Sequence, residues 1–494
     1  MPLFLALDQS TSGTKALLFD FDGNAVDRES RAHRQFYPQP GWVEHDAGEI
    51  WRNCVDVLRT VIVRQSARFA EIVSLSITNQ RETIVVFDRA TGRPLHPAIV
   101  WQCRRGDGFC ADHAAAGREQ LIREKTGLKL DAYFSASKLQ WLANHRPDLG
   151  TKLADGSALI GTIDTYLIYR LTGGKTFATD STNASRTLLF DIHRLCWDDE
   201  LCALWQVPLR ALSEVRESSA QFGETDLEGT LSRPIPICGV MGDSQASLFA
   251  QHCFSPGSAK VTFGTGSSLL LNIGGKIRPT TSGVLVALAW VCGGVPMYAF
   301  EGIIISSGAT LNWLRDQLRL VADIDELQKL SAEVDGAEGV HLVPAFTGLG
   351  LPYWSPSTRA AITGLRSKSD RRHVARAAFE SMAFQVRDAL EAMCAEADVP
   401  LAVLHADGGP TTNKFLMQFT ADLVGTELRI SEMPDCSALG AVLAGQLGLG
   451  FRRNLAELSV SGRASLVYRP QLSRESADLL YAGWKAAVRH VLSS

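Results

Sequence analysis

The sequence predicts an α/β protein of two domains laid out on one plan, and three observations predict it. The chain has 494 residues, more than one hydrophobic core usually serves. Strand-length apolar runs alternate with stretches of helical period. A strand, a turn of small polar residues and a returning strand stand at the start of each half. They are Leu3–Leu7, Asp8–Lys15 and Ala16–Phe19, then Lys260–Phe263, Gly264–Ser268 and Leu269–Leu271. The repeat is one of pattern, not of close sequence. It divides the chain into residues 1–253 and 254–494, with Phe254-Ser255-Pro256-Gly257 as the boundary turn.

Composition narrows the class. Apolar residues make up 46% and charged residues 21%, at a net charge of -4. A nucleic-acid or membrane-surface partner would call for a basic excess. The ten cysteines contain no C-x-x-C and no clustering with histidine, so zinc and redox motifs fail and reduced thiols in a cytoplasm are expected. The start, Met1 to Asp8, meets an acid too early for a signal peptide. The longest apolar run, Val284 to Cys292, is far too short to span a membrane.

In chain order, the turn Asp8-Gln9-Ser10-Thr11-Ser12-Gly13-Thr14-Lys15 exposes amides and hydroxyls at a hairpin tip. That geometry suits phosphate oxygens as well as an ordinary turn. It is not a G-x-x-x-x-G-K-[ST] loop, and no helix is expected directly after it. Asp46-Ala47-Gly48-Glu49 reads as a capping box for a helix carrying Ile50, Trp51, Cys54, Val57, Leu58 and Val61. Strands are expected at Ile72–Ile77, Ile84–Phe87 and Ile99–Gln102. These put Arg81, Glu82 and Trp101 at strand edges, as a donor, an acceptor and an apolar wall for a polyol, or as a surface ion pair beside a core tryptophan.

A helix follows Phe134. Its Ser135-Ala136-Ser137-Lys138 matches S-x-x-K, but the S-D-N and K-T-G partners of that motif are missing. Residues 160–171 read as helix. Asn183-Ala184-Ser185 is a glycosylation sequon in form only. Pro236–Met241 reads as a buried strand closed by Gly242. Asp243 follows at its mouth, placed to face a ligand or to cap the next helix.

In the second half, a helix is expected over Ser306–Leu318, then a glycine- and aromatic-rich loop over Pro344–Trp354. An amphipathic helix is expected over Val374–Met393 and a strand over Leu401–His405. The turn Asp407-Gly408-Gly409-Pro410 comes next, and a helix begins near Thr412. A glycine turn before a helix start lets a flat ring or a phosphate approach the backbone. Ser437–Ala441 opens a small-residue helix, and the remainder reads as helical.

Several stretches resemble the FGGY family of carbohydrate kinases, and within it the glycerol kinases. They are Gly41–Asp46, Ile77–Thr83, Val100–Arg105, Thr182–Thr187, Pro344–Gly350 and Phe415–Phe419. Tyr133–His145 is similar to the family's first signature, with Ser135, Lys138 and Trp141 in place. The resemblance covers nearly the whole chain. It implies two actin-like domains of the ribonuclease-H type with an interdomain cleft, ATP with Mg²⁺ as cofactors, and a homodimer or homotetramer.

Carried residue by residue, it puts nucleotide contacts on Thr11, with Ser12 beside it, and on Thr265, Gly308, Asn312, Gly409 and Asn413. Lys15 stands where glycerol kinases usually have arginine. It keeps the charge and loses the bidentate fork. Asp8 would hold the metal. Arg81, Glu82, Trp101, Tyr133 and Asp243 would bind the polyol, with Asp243 as the base that accepts the proton of a primary hydroxyl. The expected reaction is ATP-dependent phosphorylation of glycerol to glycerol 3-phosphate.

Two departures bear on the acceptor. Ser244 stands where these kinases usually have Gln, and Ser268 where they have Phe. Both remove bulk, which admits a longer polyol or ketose, such as a tetritol or pentitol, as the alternative. A third departure concerns regulation. Glu228–Pro234 is poor in glycine where some bacterial relatives bind a sugar bisphosphate, and Pro234 replaces an arginine. No such inhibition is expected. The rival of another class is an actin-like ATPase without a small acceptor, which would have no need of Arg81, Glu82, Trp101 and Tyr133.

Overall fold

A computed structural model describes residues 1–281, 283–431, 435–458 and 465–493. In the first half, β1 (Leu3–Gln9), β2 (Gly13–Phe19) and β3 (Ala25–Ala32) form an antiparallel meander. α1 (Ala47–Arg64) follows, then β4 (Ile72–Asn79), β5 (Ile84–Asp88), α2 (Ser135–His145), β6 (Ala158–Thr162) and α3 (Ile163–Leu171). β7 (Gln221–Thr225), β8 (Ile235–Gly242) and α4 (Asp243–Ala250) complete it. The six-stranded sheet has the order β7-β8-β4-β1-β2-β3, with β4 parallel to both β1 and β8.

The second half repeats the plan. β9 (Ser258–Phe263), β10 (Ser267–Gly274), β11 (Leu285–Cys292) and β12 (Val295–Ile304) are mutually antiparallel where they pair. Then come α5 (Gly308–Asp316), α6 (Arg371–Ala397), β13 (Val403–Asp407), α7 (Lys414–Val424), β14 (Leu428–Ser431), α8 (Cys436–Gly448), β15 (Ser465–Tyr468) and α9 (Arg474–Ser493). The seven-stranded sheet has the order β11-β12-β10-β9-β13-β14-β15. In both sheets the first hairpin strand pairs antiparallel with its partner and parallel with a later strand. That strand is parallel to one further strand. The duplicated hairpin is thus one corner of a duplicated sheet.

Helices α4 and α8 lie between the two sheets. Phe4, Leu17 and Phe19 of the first sheet, Leu270, Ala287 and Trp290 of the second, and Leu248, Phe249, Leu439 and Val442 of the helices form one buried cluster. Helix α8 comes so close to β8 that a side chain on Gly239 (φ +82) would meet the Ala441 carbonyl at 2.2 Å. Only glycine fits there.

Four expectations are corrected. The strand at 99–102 is only Ala98–Ile99. Trp101 lies in a turn closed by the Cys103 amide on the Val100 carbonyl at 2.9 Å. Residues 160–162 are strand, because Ile160 and Thr162 pair with Val86 and Ile84 before the helix begins at Ile163. A short apolar run carries no period that separates the two states. The C-terminal stretch contains β15, which extends the sheet beside β14. Residues 459–464 of that stretch lie outside the described residues. The capping box is half made: Asp46 accepts from the Gly48 amide at 2.8 Å, whereas Glu49 pairs with Arg34 at 3.3 Å. The sequon's Asn183 is buried and bonded to Asn79 and Asp180.

Candidate active site

The site is built where β4 and β8, parallel neighbours, both end. Asp243 follows β8 directly and is the first residue of α4. Gly242, not Asp243, is the N-cap, and no side chain caps the helix. The Asp243 carboxylate instead accepts from the next amide, Ser244 N–H, through Oδ1 at 2.7 Å, and remains partly exposed. Arg81 and Glu82 follow β4 in a tight turn, with Glu82 at φ +60. A non-glycine residue there is uncommon and marks a conformation held by its surroundings. Ser135 of α2 helps to hold it, donating to the Glu82 carbonyl at 2.9 Å.

Arg81 is 5% exposed and its guanidinium is engaged on three sides. Nε lies 3.3 Å from Asp243 Oδ1, Nη1 donates to Gln245 Oε1 at 3.2 Å, and Nη2 donates to Glu301 Oε1 at 2.9 Å. Glu301 comes from β12, in the other half of the chain. Arg186, wholly buried, donates through Nε to Glu82 Oε1 at 2.6 Å. Its Nη1 lies 2.5 Å from Glu301 Oε2, an ion pair without the angle of a hydrogen bond. Four buried charges thus join the two halves of the chain. Burial alone would raise the Glu301 carboxyl, but Arg186 and Arg81 outweigh it and hold it at about 2. Burial wins at Glu82, whose carboxyl lies above its ordinary value in spite of both arginines.

Two aromatic rings form a wall. Trp101 and Tyr133 stand with ring centroids 5.2 Å apart. The Trp101 indole donates to Thr11 Oγ1 at 2.9 Å, which ties this wall to the tip of the first hairpin. Lys138 holds the loop that carries Tyr133. Its buried ammonium donates to the carbonyls of Ala132, Tyr133 and Phe134, and burial lowers it to about 8. The S-x-x-K lysine is therefore a backbone clamp.

At the first hairpin, Ser12 is exposed at the tip. Asp8 and Lys15 face each other in register across β1 and β2. Lys15 does not stand free: Nζ donates to Asp435 Oδ1 at 2.9 Å, just before α8. Burial pushes the Asp8 carboxyl up to about 7; Lys15 opposes the shift, and Asp243 and Asp435 add to it.

The other residues named from the sequence gather around one cavity. Thr265, Gly308, Asn312, Gly409 and Asn413 all line a space of about 280 Å³, closed by Leu311, Ile324 and Phe379. Gly408 has φ +101, and a side chain on it would meet the Phe263 carbonyl at 2.0 Å. Around a Cβ on Gly409 there is open space. One glycine is required by the fold and the next leaves room for whatever fills the cavity. Asn413 caps α7, accepting from the Leu416 amide at 2.9 Å.

The two groups adjoin. Ser244 Oγ lies 3.4 Å from Ser268 Oγ, on the strand that leaves the second hairpin. Directly across from Ser268 on β12 is Ile303, which packs against the same hydrophobic cluster as Trp101 and Tyr133.

The models for the N- and C-terminal domains of the FGGY family of carbohydrate kinases match residues 3–250 and 259–449. The chain is 44% identical over 488 residues to a glycerol kinase of Desulfitobacterium hafniense, covering 99% of each chain. It is 44% identical over 489 residues to glycerol kinase 1 of Thermotoga maritima, again over 99% of each. The crystal structure of Plasmodium falciparum glycerol kinase with ADP superposes with a TM-score of 0.94 at 34% identity, covering 100% of this chain and 98% of that one. Matched almost from end to end, in sequence and in fold, the chain belongs to the FGGY family of carbohydrate kinases.

Proposed function

We propose that this chain transfers the γ-phosphoryl group of ATP to a primary hydroxyl of glycerol, giving glycerol 3-phosphate and ADP. The observation that carries the reading is the pairing of the partly exposed Asp243 carboxylate with Arg81 at 3.3 Å, one contact away from the hairpin that borders the cavity. Asp243 accepts the hydroxyl proton as that oxygen attacks the γ-phosphorus, and the bond to the β,γ-bridging oxygen breaks in line. Arg81, Glu82 and Tyr133 orient the acceptor, and Trp101 covers its carbons. The adenosine occupies the cavity, against Gly409 and Asn413, with its phosphates between the two hairpins.

The residues fit a magnesium ion. Asp8 is a buried carboxylic acid on the first hairpin, opposite Lys15, and burial raises its proton affinity, which a bound cation would offset. Magnesium keeps most of its water and takes one or two carboxylates plus phosphate oxygens. Asp8 would hold it, and bound there it would offset charge on the phosphates.

A second reading keeps the chemistry and lengthens the acceptor. The Ser244–Ser268 hydroxyl pair favours it, offering two polar groups beside Asp243. Ile303 opposes it, as an apolar residue directly across the sheet from Ser268. The test is ADP release from MgATP with glycerol, erythritol, the pentitols, dihydroxyacetone and ketoses offered singly. Glycerol is expected to give the highest kcat/KM. A pentitol ahead by about tenfold would assign the second reading. ATP turnover indifferent to every acceptor would leave an acceptor-free ATPase.

A further inference from the structure

Asp243, Ser247 and Gln251 are spaced four residues apart, so they form one stripe along α4 and its C-cap. Asp243 stands at the cleft. The other two meet a single side chain of the second sheet: Ser247 Oγ and Gln251 Nε2 both donate to Asp407 Oδ2 at 2.6 Å. Gln251 Nε2 also donates to Ser247 Oγ at 3.1 Å, closing a ring of three. Asp407 is the last residue of β13, directly before Gly408 and Gly409. Its backbone therefore leads into the nucleotide cavity while its side chain grips the helix that starts at Asp243.

The placement of charge is not what plain packing would choose. Asp407 is 8% exposed, and its Oδ1 has no hydrogen-bond partner. In register beside it on β9 is Thr262, whose hydroxyl accepts from the wholly buried Lys260 at 2.8 Å. A buried carboxylate bonded through one oxygen holds two elements less strongly than an apolar contact of the same shape. What it adds is register: bonds of this length and direction are lost when the helix turns or slides by about 1 Å.

We propose that Asp407, through Ser247 and Gln251, is the positioning residue that sets α4, and with it Asp243, from the nucleotide turn. The glycine turn and the base are then two ends of one braced piece. Nucleotide seated at Gly409 stiffens the strand end to which the base-bearing helix is bonded. This rests on the reading of Asp243 as the base.

The test is steady-state kinetics of Ser247→Ala beside thermal melts. Ser247→Ala removes one donor from a helix that tolerates alanine. Its kcat on glycerol is expected to fall about tenfold, with both KM values within about twofold, because binding contacts remain and only the base is displaced. Tm is expected to stay within about 2 °C. Ser247→Thr, which keeps the hydroxyl, is expected to recover most of the rate. Gln251→Leu removes the other donor at similar volume and serves as a second arm should Ser247→Ala fold poorly. A kcat within about twofold of the parent in both variants overturns the proposal, as does a loss that tracks Tm and both KM values together. A parent enzyme inert toward glycerol but active on a longer polyol moves the same measurements to that acceptor, whereas ATP turnover indifferent to every acceptor overturns the function and this proposal with it.

Discussion

Arg81 shows how much one side chain can organise. Its three nitrogens meet Asp243, Gln245 and Glu301, so the charged cluster around Asp243 is complete only when β12 of the second half lies against the first. Removing one charge from such a buried set is costlier than removing all of it, by about 3–5 kcal/mol, because the partners stay buried and unpaired. Glu301→Gln is therefore expected to raise the glycerol KM at least about tenfold and to lower Tm, while the KM for ATP changes little. An unchanged glycerol KM in a folded variant would remove Glu301 from the acceptor site.

At this scale the sequence was readable where a polar residue follows a strand. Arg81, Glu82 and Asp243 were all named from that position. Glu301 and Arg186 escaped because each sits inside an element or an ordered turn, with its partners far away in the chain. A glutamate within the apolar run Tyr298–Ile304 was the one available signal, since such a residue is rarely buried without a partner.

Among the elements, the long helix α6 carries a second buried acid remote from the cleft. Asp388 accepts from the Trp484 indole of α9 at 2.7 Å and from the Tyr481 hydroxyl. Burial raises its carboxyl to about 6 despite these donors. The folded chain then holds this proton more tightly than the unfolded chain does. The stability it contributes is full below the unfolded value near 4 and is lost as pH rises through about 6. The slope is at most about 1.4 kcal/mol per pH unit. Asp388→Asn is expected to flatten the fall of Tm between about pH 4.5 and 6.5, read by thermal melts across that range. A parallel fall in parent and variant would assign the pH dependence to other groups. Element types were legible in the sequence wherever the run was long, as for α1 and α6. They failed at residues 160–162, the end of the strand Ala158–Thr162 that pairs with β5, where only the partner strand decides. Tertiary pairing, not propensity, fixed that strand.

For the whole molecule, the repeated hairpin was enough to foresee two halves on one plan. The crossing of α8 was not foreseen. Nothing local marks a small-residue helix as belonging to the other half's sheet; that follows from Gly239, Gly440 and Gly445 meeting backbone at close range. No helix among the described residues is long and apolar enough to cross a membrane. That Thr265, Gly308, Asn312, Gly409 and Asn413 share one cavity could be anticipated, because hairpin and glycine turns carry their geometry in short motifs. The tie from Asp407 to α4 was not, because its members are ordinary polar residues until the sheet and helix face one another.

The placement of α8 between the sheets bears on how the chain could be cut. Ser255 and Pro256 are exposed, so a break there would disturb little in the assembled protein. Yet a fragment ending at residue 253 would carry Phe4, Leu17, Phe19 and Met241 with no α8 to cover them. Each fragment alone is expected to aggregate, and the two produced together to reassemble and recover kinase activity. The chain would then serve as a split reporter whose signal is ADP. Two fragments separately soluble and monomeric by gel filtration would show that the halves need no such mutual cover.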